Sequence, residues 1–109
     1  MKVDYDSEGH SLLFEFGEFH HFEKGDYVEL LADDQCIVGI HDGRVDHIQL
    51  LGADEDITPL DEAAERFELD ADGLRAGARA ALAVPDREVL IDVRDRLPLG
   101  SEGDSAEAA

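Results

Sequence analysis

Apolar residues fall at every second position in the first half of the chain and at helical spacing in the second. In Ser11-Leu12-Leu13-Phe14-Glu15-Phe16, the residues Leu12, Phe14 and Phe16 share one face; in Tyr27-Val28-Glu29-Leu30-Leu31, Val28 and Leu30 do the same. Successive side chains of a strand point to opposite faces, so both segments predict half-buried strands with those residues inward. Gly17, Lys24-Gly25-Asp26 and Ala32-Asp33-Asp34 punctuate them, and the simplest arrangement is a small antiparallel meander continuing into Cys36 to Ile40. Asp42-Gly43 is a strong hairpin signal after that strand. The next segment, Val45 to Leu51, fits a fourth strand by its turn chemistry. The spacing of Val45, Ile48 and Leu51 also fits a helix, and the strand is the reading adopted.

From Ile57 to Arg75 the pattern changes to two short helices joined by a tight turn. Thr58 is suited to an N-cap, Pro59 to the first helical position, and Asp61 to a spacing like that of a capping box. Asp61 and Glu62 lie at the positive end of the helix dipole. Leu60, Ala63, Ala64 and Phe67 form the apolar stripe of the first helix. Asp70 or Asp72 then caps a second helix that runs to about Ala83 and stops before Pro85, with a stripe of Leu74, Ala78, Ala81 and Leu82. Arg75 and Arg79 sit one turn apart on a neighbouring face. After Pro85, Val89, Ile91 and Val93 share a face and predict a strand that completes the sheet or flanks the helices as a wing.

The helical pair resembles the helix-turn-helix of bacterial regulators: Ala63-Ala64, Phe67, Leu69 and Leu74-Arg75 match its small-small, apolar, apolar, Leu-Arg spacing. The longer stretch from Arg44-Val45 through Ile48, Leu50-Leu51 and the Thr58 to Leu69 helix to Ala80-Ala81-Leu82, residues 44–82, is similar to a family of small prokaryotic antitoxin-like proteins of formally unknown function. That resemblance implies a three-helix DNA-binding head, often encoded beside nuclease toxins. The chain departs from the pattern at Glu68, where such turns usually carry Gly, and at Gly77, where an apolar core residue is usual. A left-handed Glu68 would be strained, and Gly77 would weaken packing and helix propensity together. A helical hairpin that simply covers a sheet would show the same caps and stripes. The N-terminal meander, with Tyr5-Asp6, Leu12 to Phe16 and Ile37-Val38-Gly39-Ile40, also resembles a second family of tiny bacterial sheet proteins of unknown function.

The predicted fold class is therefore α+β: a small antiparallel N-terminal sheet, a helix-turn-helix-like pair, a C-terminal strand and a disordered acidic tail. Residues 1–97 form a single domain, with 1–56 mainly β, 57–84 the helical pair and 86–95 the strand. Residues 98–109 are the tail, rich in Gly, Ser and acids with almost no apolar periodicity. At 109 residues there is room for one core.

Charge changes this picture most. The chain carries 28 Asp and Glu against 9 Lys and Arg, a formal net charge of -19, which argues against casual DNA binding. Solvation in a salty cytoplasm, complementarity to a basic partner and mimicry of a phosphate backbone would each produce such a surface. No apolar run approaches the length of a membrane span and no signal peptide opens the sequence, so a cytoplasmic protein without membrane contact is expected. A lone cysteine, Cys36, excludes an internal disulfide and a cysteine-rich zinc site, and its apolar setting marks it as a buried small hydrophobe.

Candidate chemistry is thin. His20 and His21 are adjacent and would point to opposite faces of a strand, which is wrong for shared metal chelation. His41, Asp42, Asp46 and His47 flank one turn and come nearest to a metal or acid-base cluster, but polar residues around a solvated turn explain them better. Phosphate-cradling glycines, nucleophile elbows and zinc spacings are missing. The expectation is a non-enzymatic regulatory or antitoxin-like protein, without cofactor or metal, that binds a basic protein partner such as a nuclease toxin or nucleic-acid enzyme. DNA is a further expected partner, contacted by Arg75, Arg79 and Arg66 with Arg87 beside the strand, and homodimerisation would supply the contacts a single module lacks. The rival expectation is a phage-type DNA-mimic inhibitor, and a salt-adapted interaction domain is the third.

Overall fold

The computed structural model describes residues 1–17 and 24–91. Six strands, β1 (Lys2–Asp6), β2 (Ser11–Glu15), β3 (Tyr27–Leu31), β4 (Cys36–His41), β5 (Arg44–Leu51) and β6 (Glu88–Leu90), form one sheet, and α1 (Pro59–Phe67) and α2 (Ala71–Ala83) lie between β5 and β6 in the chain. The spatial order is β3-β4-β5-β2-β1-β6, with every pair antiparallel. Asp42 and Gly43 both take positive φ, 54° and 75°, and close the β4–β5 hairpin as their residue types favour. Residues 44–51 are a strand, as the turn chemistry indicates.

Val3 and Tyr5 of β1, Leu12 and Phe14 of β2, Cys36, Val38 and Ile40 of β4, and Ile48 and Leu50 of β5 are all buried on one face of this sheet. Onto that face α1 lays Leu60, Ala63 and Ala64, over β3, β4 and β5, while α2 lays Leu74, Ala78 and Ala81 over β1 and β6. The stripes are those expected from helical spacing. Gly77 has a use: a Cβ there would stand 3.1 Å from both Met1 Cε and Val3 Cγ2, so its missing side chain lets α2 approach β1 closely.

This architecture corrects the predicted one. The sheet is not a small N-terminal unit, because β6, from beyond the helices, pairs with β1 and places both ends of the described fold side by side. The helices are not a three-helix head: the segment that the resemblance alone would make its first helix is β5, and the apolar stripes of the other two are spent on one face of the sheet. The hairpin that simply covers a sheet is the arrangement found. Thr58 corrects a second expectation, since its hydroxyl donates to Asp56 Oδ1 at 2.7 Å and makes no capping bond to the helix. Its amide donates to the same oxygen at 2.9 Å, and these two bonds, amide first, hold the Asp56 carboxyl below the usual range. Val93 and residues 98–109 lie outside the described residues.

Glu68 does adopt the left-handed conformation, φ 56° and ψ 48°, and its amide and that of Leu69 both reach back to the Ala64 carbonyl to end α1. A Cβ in this region costs about 1–2 kcal/mol, partly offset in a Gly variant by greater freedom of the unfolded chain. Glu68→Gly is therefore expected to raise the unfolding free energy by about 0.5–1 kcal/mol in a urea titration with unchanged slope.

Candidate interaction surface

Both helices lie on one face, and among the described residues no helix covers the opposite face of the sheet. The pairing register places Leu30, Ile37, Gln49, Leu13, Asp4 and Glu88 in one row across it, and Val28, Gly39, His47, Glu15, Lys2 and Leu90 in the next. The face is thus apolar at the β3–β4 side and charged at the β1–β6 side. Lys2 Nζ lies 3.8 Å from Glu15 Oε1 and 3.5 Å from Glu88 Oε2, tying the charged rows together. At the apolar side Val28 is 45% exposed and Leu30 52% exposed. These are the residues that period two marks for burial.

Sequence reasoning misassigned that face, and β3 shows why. Glu29 opposes the buried Val38, so Glu29 and not its apolar neighbours looks toward α1. There Arg66 meets it, with Nε and Nη2 donating to Glu29 Oε1 at 3.1 and 2.9 Å. A charge-assisted pair of this kind lets a carboxylate occupy the helix-covered side. The arginine partner, 37 positions along the chain, gives no local signal.

Asp4 sits half-buried in the charged rows. Burial first, then the carboxylates of Glu15, Glu88 and Asp6, push its pKa up against the opposing effect of Lys2. A carboxyl whose folded pKa exceeds its unfolded value stabilises the fold most below the unfolded pKa, and that contribution is lost as pH rises through the folded pKa. At neutral pH its charge is a net cost. Asp4→Asn is expected to raise the melting temperature by a few degrees at pH 7, with the gain disappearing below about pH 4, where Asp4 is protonated in both states.

A β-bulge shapes the middle of the face. Gly39 pairs with His47 and Ile40 with Val45, leaving Asp46 as the extra residue of β5. His47 lies over Gly39 so closely that a Cβ on the glycine would fall 2.1 Å from the ring. Of the four polar residues around the β4–β5 turn, His41, Asp42 and Asp46 border one depression, while His47 lies over Gly39. His47 Nδ1 lies 3.0 Å from Asp46 Oδ2, whereas His41 Nδ1 turns to Asp26 Oδ2 at 2.8 Å. A shallow depression lined by Phe16, Gly17, His41, Asp42, Arg44, Val45 and Asp46 opens beside them. Among the described residues no three of His, Cys, Asp or Glu are grouped to hold a metal ion. Cys36 is buried, and burial followed by Glu62 pushes its thiol up to about 11, well away from the range of a reactive thiolate.

The arginines expected to meet DNA are dispersed. Arg75 bonds to Asp61 and Asp72, bridging the two helices, and those two hydrogen bonds raise its pKa. Arg66 is engaged by Glu29 and stands with its guanidinium carbon 5.6 Å from the centre of the Phe67 ring. Arg79 and Arg87 are exposed, one on α2 and the other in the turn before β6. Between α1 and solvent lie the exposed acids Glu62, Glu65 and Glu68. Among the described residues no helix is long and apolar enough to cross a membrane. No family profile, curated protein or solved structure matches the chain.

Proposed function

We propose that this chain acts by binding and not by turnover: a small acidic, antitoxin-like protein whose surface engages a basic protein partner, of the class that itself contacts nucleic acid. The observation carrying this reading is the disposition of charge. Acids outnumber bases by 28 to 9; Lys2, Arg66 and Arg75 are each held by carboxylates of the same chain, and acids such as Glu62, Glu65 and Glu68 face solvent on α1. Duplex DNA would meet net repulsion from a chain of charge -19. The basic patches and grooves with which nucleases and other nucleic-acid enzymes hold phosphate would meet attraction, strong enough to steer encounter and to be weakened by salt.

The test is capture of the tagged protein with its partner from the host at native salt, followed by titration of the purified pair. A partner of high isoelectric point, bound in fixed stoichiometry with affinity falling steeply as salt is added, and displaced by duplex DNA, supports the proposal. A salt-insensitive complex, an acidic partner or specific DNA bound without protein contradicts it. An acidity that only adapts the surface to a salty solvent, the second reading suggested by 2 Lys among 37 charged residues, would instead give a surface that captures no basic partner at any salt concentration.

A further inference from the structure

Resting on that reading, we propose that β3 is the docking strand. An extended, basic and apolar segment of the partner pairs along its outer edge, adds a seventh strand to the sheet and lays alternate apolar side chains beside Val28 and Leu30.

The two edges of the sheet differ in a way that selects β3. Among the described residues β6 is three residues long, with Glu88 and the 75% exposed Leu90 on the open face. A short edge offers few main-chain groups for strand addition. β3 is five residues long, contains neither Lys nor Pro, and among the described residues has no strand on its outer side. Its only charged side chain, Glu29, is turned to α1 and neutralised by Arg66. The edge therefore presents main chain flanked by Tyr27, Val28 and Leu30, which are 51%, 45% and 52% exposed. Ile37 of β4 pairs with Leu30 on the open face, so an apolar strip two strands wide begins at the edge.

The strand is also fixed in place. Five residue pairs hold it to β4, and the Arg66–Glu29 pair anchors it to α1, so an incoming strand has little to order on this side. Main-chain hydrogen bonds along such an edge supply affinity, and contacts to alternate side chains supply specificity.

Charge complementarity names the occupant. The hairpin turn that follows β3 carries the exposed Asp33 and Asp34. Lysine or arginine between the apolar positions of an added strand would meet these carboxylates. A second copy would bring the same acids and another charge of -19 against them.

The probe is a synthetic nonapeptide of alternating Lys and Val, titrated into the 15N-labelled full chain at about 0.05 M salt. Amide shifts are expected to concentrate in β3 and the adjoining face of β4. An analogue N-methylated at alternate residues keeps the charge but cannot pair, and is expected to bind at least tenfold more weakly. The charge-neutral Val28→Ser/Leu30→Ser variant should lose affinity to a similar extent while keeping its unfolding midpoint. Equal binding of the N-methylated peptide, shifts confined to the outer faces of α1 and α2, no binding of the parent peptide, or a dimer formed through β3 in sedimentation each overturn the docking strand. Nona-lysine separates the two ideas. If it binds on the helices while the alternating peptide ignores β3, the docking strand fails and the acidic-surface reading survives. If neither peptide binds at low salt, both fail.

Discussion

Transfer from about 1 M to about 0.01 M salt is expected to lower the unfolding free energy by on the order of 5 kcal/mol, a large fraction of the stability of a domain this size. The chain carries a net charge of -19, of which 21 acids against 7 bases fall on the described residues. At about 0.01 M the screening length is roughly 30 Å, so nearly every carboxylate feels every other; at about 1 M it is roughly 3 Å, and only immediate neighbours interact. The unfolded chain spreads the same charges over a larger volume and is less penalised. The internal pairs of Lys2, Arg66 and Arg75 weaken with salt, but exposed pairs contribute little and cannot reverse the sign. Urea titrations across salt concentrations measure the effect, and a midpoint that does not move would mean that the acids are far better compensated than the described ion pairs allow.

The second large effect separates two leucines that sequence pattern treats alike. Leu12 is fully buried on the helix-covered face and Leu30 is 52% exposed on the open one. Leu12→Ala is expected to cost about 2–5 kcal/mol through lost transfer energy and a cavity that α1, α2 and the neighbouring strands cannot close. Leu30→Ala is expected to stay within about 0.5 kcal/mol, as substitutions on an exposed surface do. Comparable losses at both positions would show that β3 is turned over, with its apolar residues in the core and Glu29 outside. That result would remove the apolar strip on which the docking proposal stands.

What could be read from the sequence divides along local and non-local lines. The strands at residues 11–15, 27–31, 36–41 and 44–51, the Asp42-Gly43 hairpin and both helices are encoded by patterns a few residues long, and they occur where those patterns place them. The stripes of α1 and α2 follow from helical spacing in the same way. β1 escaped because its alternation is only Val3 and Tyr5 among polar residues, and because its pairing with β6 spans most of the chain. Period two tells which residues of β3 share a face, but not which face the helices cover. That choice is made by the register with β4 and by Arg66, far along the chain. The candidate surface consists of side chains from strands distant in sequence, so no motif announces it. The apparent helix-turn-helix misled for the converse reason, since local caps and stripes are the same whether two helices stand as a head or lie on a sheet. The expected strand residue Val93 and the expected tail, 98–109, fall outside the described residues.

Amide hydrogen exchange of the full chain, alone and saturated with its captured basic partner, tests the central claim most directly. New protection is expected in residues 27–31 and 37–39, the edge strand and its neighbour, beside any that the partner adds over the acidic outer face of α1. Protection confined to the helices around Glu62, Glu65 and Arg79, with residues 27–31 exchanging as in the free protein, would contradict the docking strand and leave the acidic-surface reading standing; no protection anywhere would contradict both.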